Sequence, residues 1–235
     1  MQQLLKRIFG SSVGKKYLMA LSGALLFLFV VLHLAGNLQI FLGPDVINRY
    51  GHFLQSNPEL IWPARLILLA LVGLHIWAAI TLTKENRAAR PVPYAHYEVV
   101  AATYASRTMF MSGLIILVFI IYHLLHFTVE VRQINFTGQN FVDLHDPQQR
   151  HDIFKMMVVG FSNIWVSAFY ILGMALLCLH LSHGVSSMFQ SVGWKNKRYG
   201  AVLDKLARIG ALMIFLGYSS IPIAILLGYG KEALR

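Results

Sequence analysis

Charge is what this chain has least of. Lys, Arg, Asp and Glu together make up 13% of its 235 residues, about half the share found in soluble domains. Set against 57% hydrophobic residues, that shortage excludes a soluble protein and implies an integral membrane one. Cysteine is nearly missing too. Cys178 is the one present, and it lies inside an apolar stretch, which excludes an internal disulfide and a CxxC metal site. The seven prolines mostly sit between apolar stretches, at Gly43-Pro44, Asn57-Pro58 and Pro91-Val92-Pro93, where they read as helix breakers. No soluble domain, low-complexity tract or sequence repeat is apparent. No small-residue cleavage site follows a short apolar core near the start, so the first apolar span is expected to be retained.

Five apolar stretches are long enough to cross a bilayer core as helices. They run roughly over Tyr17–Leu42, Ile61–Thr83, Thr108–Val129, Ile164–Met188 and Leu206–Tyr229, which predicts an all-α bundle of five transmembrane helices in a single domain. Pro222 falls within the last and is expected to kink it at a bearable cost. The formal net charge of +10 would suit nucleic acid, but the basic residues sit in short connections between the spans. Residues 1–16 and the second and fourth connections hold 13 of the 20 Lys and Arg. By the positive-inside rule the N-terminus is cytoplasmic and the C-terminus outside, in a multi-pass inner membrane protein of bacterial type. The connection from Glu130 to Asn163 is too long for a plain helix–helix turn and reads either as an outer cap, with an interfacial helix over His151–Val159, or as a tethered connector.

Four of the spans carry a histidine past their midpoint: His33, His75, His123 and His180. Successive helices alternate direction, so His33 and His123 fall in the outer leaflet, His75 and His180 in the inner. The two levels differ by roughly 10–14 Å at 1.5 Å per residue. A lone histidine in a membrane helix is ordinarily a packing or proton-relay residue. Four at two paired depths fit two bis-histidine haems, whose iron takes a neutral imidazole on each side. A metal transporter would gather its ligands at one depth with carboxylates beside them, and no acid lies deep in any span. His126 and His183 are each one turn nearer the surface than a ligand candidate, close enough to water to bond a propionate, a quinone oxygen or a carbonyl. His52, His96, His145 and His151 read as solvated loop residues.

Four stretches make a resemblance specific: LFVVLHLAGNLQIFLG, RLILLALVGLHIWAAITLTKENR, LVFIIYHLLHFT and LCLHLSHGVSSMFQSVG. The chain resembles the membrane-anchor cytochrome b subunits of succinate:quinone oxidoreductases (succinate dehydrogenase and fumarate reductase), of the single-polypeptide, five-helix, di-haem type. The fourth stretch is the most telling, with His180, Gly184 and Ser187 in the family's order. The resemblance covers nearly the whole chain. It implies two haems b, with His33 paired to His123 and His75 to His180, in agreement with the depths, and a fifth helix that ligates nothing. It implies a flavoprotein and an iron–sulfur subunit docked on the cytoplasmic face, and quinone, commonly menaquinone, as substrate. The chain has no Rossmann glycine motif or cysteine cluster, so it does not oxidise succinate alone.

Lys16, Ser22 and Arg107 are candidate partners for the inner haem propionates, although Lys16 and Arg107 are equally suited to snorkelling to lipid headgroups. For quinone, the first connection offers His52, Gln55, Glu59 and Arg65 beside Trp62, and Glu59 is the nearest match to an acidic residue the family uses there. The basic inner connections suit an acidic partner surface or anionic lipid. Two rival readings remain: the haem-b subunit of another respiratory dehydrogenase, and a transporter with a histidine proton relay.

Overall fold

A computed structural model describes residues 2–89 and 103–234. Arg90, the Pro91-Val92-Pro93 breaker and His96 lie outside the described residues. The described chain is helical: α1 (Gln2–Gly10), α2 (Ser12–Asn37), α3 (Pro44–Gln55), α4 (Pro58–Ala88), α5 (Tyr104–Phe127), α6 (Ile153–Ser162), α7 (Ile164–Ser191) and α8 (Gly200–Leu226). Five of these, α2, α4, α5, α7 and α8, are long and apolar enough to cross a membrane. Their outward faces carry bare leucines such as Leu69, 70% exposed, and this apolar girdle makes the chain a multi-pass membrane protein.

The membrane helices overrun the apolar stretches by about a turn at one end of the bundle, where α2 starts at Ser12, α4 ends at Ala88 and α5 starts at Tyr104. Hydropathy falls where charges begin, but the backbone ladder continues through charged residues. Local caps set the starts. The Ser11 hydroxyl accepts from the Gly14 amide at 3.0 Å, Thr103 caps α5, and the Asn163 side chain accepts from the Trp165 amide at 2.9 Å. Pro44 and Pro58 do not merely break helices. Each stands in the first turn of one, where its missing N–H costs nothing. The first connection is therefore helix α3, entered through Gly43 at φ 102°, and not a loop; His52 lies on α3 and Glu59 in the first turn of α4.

The long connection folds as a cap over one end of the bundle, and its helix, α6, is buried there. Phe154, Met157, Val158 and Phe161 are buried and packed with Ile40 and Ile47, with Phe119, Tyr170 and Met174 of α5 and α7, and with Ile221 and Ile225 of α8, while Met156 and Val159 are buried against Phe141. The main apolar core thus sits at the cap end. At the opposite, basic end the ties are polar. Lys15 of α2 pairs with Glu85 of α4, and Lys195 reaches Asp204 of α8 at 2.6 Å. Between these ends α2 packs on α4, α5 on α7, and α7 on both α2 and α8. Glycine permits two of the closest approaches: a Cβ on Gly173 would stand 2.6 Å from Phe119, and one on Gly217 would stand 2.9 Å from Leu34.

Asn48 of α3 pins the cap. Its side chain donates to Asp152 at 3.0 Å and Asp146 at 3.3 Å and accepts from the Phe154 amide at 2.9 Å. Burial works to raise the Asp146 carboxyl, but hydrogen bonds from Arg150 outweigh it and hold it below the usual carboxylate range. His151 lies 3.3 Å from Glu130, and that carboxylate raises the imidazole above its ordinary value. Asn48→Ala strands the buried Phe154 amide and is expected to cost about 1–3 kcal/mol, read as a lowered Tm in detergent. A raised imidazole stabilises the fold below its unfolded pKa and loses that contribution as pH rises through the folded one. Tm in detergent should therefore fall as pH rises from the ordinary imidazole value through the raised one, and His151→Ala should flatten that dependence.

Candidate functional site: two histidine pairs

The four mid-span histidines meet in two pairs. His33 of α2 and His123 of α5 have ring centroids 5.8 Å apart, with planes at 78°. His75 of α4 and His180 of α7 have centroids 6.5 Å apart, with planes at 62°. The first pair lies toward the cap, the second toward the basic end. Each pair joins helices that are opposite in the bundle, since the closely packed neighbours are α2 with α4 and α5 with α7.

A neutral imidazole has one donor and one acceptor nitrogen. At the basic-end pair, Nδ1 of His75 lies 3.2 Å from the Ser22 hydroxyl of α2, and Nδ1 of His180 lies 3.2 Å from the Ser112 hydroxyl of α5. Ser22 is fully buried, with its hydroxyl beside the His75 ring. Next to each serine stands a glycine. A Cβ on Gly23 would come 3.2 Å from the His75 ring, and one on Gly113 would come 3.5 Å from the His180 ring. At the cap-side pair the Tyr170 hydroxyl of α7 lies 3.4 Å from Nδ1 of His123 and 2.9 Å from Nδ1 of His126.

His126 is 0% exposed, wedged beside Phe127 and Phe141 under the cap. The expectation that it sits close to water is therefore wrong, because α6 folds over the end of α5. His183 bonds Ser187 at 3.0 Å. Lys16 and Arg107 are exposed, as headgroup-facing cations would be; the neighbouring Lys15 is the buried one. The quinone candidates His52, Gln55, Glu59 and Arg65 are also exposed. His52 bonds Ser56 and Arg65 lies over the Trp62 ring.

Ser112 and Tyr170 escaped the sequence reading, yet a signal for Ser112 is present. MALSGALLFLFVVLHL at 19–34 aligns with MFMSGLIILVFIIYHL at 109–124. The two share the Met, the Ser-Gly pair, the Phe and the His-Leu at an offset of 90 residues. Phe29 stacks on His33 at 17° and Phe119 on His123 at 16°, so α2 and α5 are equivalent arms. The reading that no sequence repeat exists is corrected by this pair.

Comparison with known protein families, with curated proteins and with solved structures found no match. Among the described residues no group of three or more His, Cys, Asp or Glu could hold a metal ion. Two imidazoles are what each pair offers. Tyr170→Phe leaves two buried ring nitrogens without their partner and is expected to lower stability by about 1–3 kcal/mol, measured as a Tm shift.

Proposed function

We propose that the chain is the membrane-anchor cytochrome b subunit of a succinate:quinone oxidoreductase, with two haems b held by His33 with His123 and by His75 with His180. The observation that carries this reading is the two opposed imidazole pairs at two levels of one bundle. A metal–nitrogen bond of about 2.0 Å on each side, with the ring behind it, puts facing centroids roughly 6.3 Å apart, and the observed 5.8 and 6.5 Å bracket that span. Two ligands alone would leave a bare ion short of donors, whereas a porphyrin brings four nitrogens of its own. Glycine at 23 keeps bulk away from the His75 ring.

Bound between these rings, haem supplies reversible one-electron transfer. The protein's part is to set ligation, depth and dielectric. Exposed leucines keep the bundle in hydrocarbon, and the cap shields the His33 and His123 level. The basic end faces the cytoplasm on this reading. There Lys16, Lys84 and Arg107 suit an acidic surface of an iron–sulfur subunit that itself serves a flavoprotein. Quinone, with menaquinone the family's common choice, exchanges electrons at the membrane, and Glu59 stands at the cap-side surface as a candidate proton carrier.

The purified chain is expected to show two b-type haems. His33→Ala or His123→Ala should remove one spectral component, and His75→Ala or His180→Ala the other, while His126→Ala and His183→Ala keep both. Loss of the same component in His33→Ala and His75→Ala would refute the pairing. Co-purification of a flavin-containing, succinate-oxidising subunit separates this family from other respiratory haem-b subunits. In that complex, Glu59→Gln with intact haems should slow quinone-linked turnover; turnover at the wild-type level places the proton carrier elsewhere.

A further inference from the structure

We infer that Ser22 and Ser112 are positioning residues that lock His75 and His180 in the Nδ1–H tautomer, so that both rings of the basic-end pair offer an Nε2 lone pair to iron. This rests on the haem reading of the pairs.

A serine hydroxyl has one proton, and in both arms the helix takes it. Ser22 Oγ donates to the Leu18 carbonyl at 2.7 Å, and Ser112 Oγ donates to the Met109 carbonyl at 3.0 Å. Both bonds are shorter than the 3.2 Å contacts to the rings. With its proton spent on its own helix, each hydroxyl meets the ring as an acceptor. The nitrogen facing it must therefore carry the hydrogen. If Nδ1 were bare, acceptor would face acceptor in a medium without water to relieve it. The remaining nitrogen, Nε2, is then the unprotonated one on both rings.

The arrangement occurs twice, on arms related by the 90-residue offset. The cap-side pair is built differently. One hydroxyl, that of Tyr170, is shared between His123 and His126, and neither arm has a serine there. That pair is an internal control within the same molecule.

An Nδ1–H that donates makes its Nε2 a stronger donor and favours the ferric state. Redox titration of the purified full-length protein, followed by visible spectra and by EPR of the low-spin ferric signals, tests this. Ser22→Ala and Ser112→Ala are each expected to raise the reduced-to-oxidised ratio of the basic-end haem at fixed potential by about fivefold, the size of one hydrogen bond. The double variant should move further in the same direction. The cap-side haem should keep its midpoint and g-values. Unchanged basic-end midpoint and g-values in both single variants, or equal shifts at both haems, would overturn the inference. If an alanine variant loses the basic-end haem outright, Ser112→Thr, which keeps the oxygen, must retain it; loss there too counts against the inference. A wild-type protein without haem refutes the haem reading instead. The tautomer then stands or falls on the 15N shifts of His75 and His180 in the haem-free protein, where hydrogen on Nε2 overturns it.

Discussion

An imidazole in hydrocarbon needs a partner for each of its two nitrogens, and no water is there to serve. The interior of this bundle is organised around that demand. Three of the four paired histidines have Nδ1 beside a hydroxyl from a neighbouring helix: Ser22 for His75, Ser112 for His180, Tyr170 for His123. None of these hydroxyls comes from the histidine's own helix. Each pair therefore ties its helices to their packed neighbours, and these hydroxyls set how the rings are aimed. Aim set by surrounding groups is what holds a metal ligand in one orientation.

The repeated arms explain why there are two levels. Serine and histidine stand eleven residues apart on α2 and again on α5. Eleven residues make close to three full turns, so both side chains emerge on one face about 16 Å apart along the axis. One helix can then present a ring at the cap side and a hydroxyl to a ring at the basic side. The α4 and α7 helices run the other way and supply the rings that these hydroxyls hold. The depth difference read from span midpoints is a by-product of that spacing.

Much of this is legible in the residues alone. Five apolar runs of bilayer length leave little choice of architecture, and alternating direction fixes which histidines share a depth. What escapes is local. Pro44 and Pro58 look like breakers, because nothing short of the three-dimensional path says whether a helix begins at a proline or ends before it. His126 looks wetter than His123 by its place along α5. It is in fact sealed, since α6, twenty-seven residues further on, folds across it. Ser22 looks like a surface-level hydroxyl and Tyr170 like an ordinary aromatic of a membrane helix. Their partners lie 53 and 47 residues away in sequence, out of reach of any helical-period argument. The 90-residue repeat was the one signal in plain view, and it shows only when histidine and serine are considered together.

The two ends of the bundle solve different problems. At the cap end, aromatic and aliphatic packing between α5, α6, α7 and α8 excludes water, and the Asn48 network fastens α3 to the entry of α6. Such packing is insensitive to salt. At the basic end Lys15 with Glu85 and Lys195 with Asp204 hold the helix termini through ion pairs near the headgroup level, where screening weakens them. An apolar cap and a polar opposite end give the two histidine pairs unequal surroundings within one repeated frame. On the proposed reading that inequality is useful. Two haems with the same kind of ligands need different environments to hold different potentials, and the repeat alone would make them alike. The departures from it, Tyr170 in place of a serine and the α6 cap over one end only, are where the difference between the two sites is built.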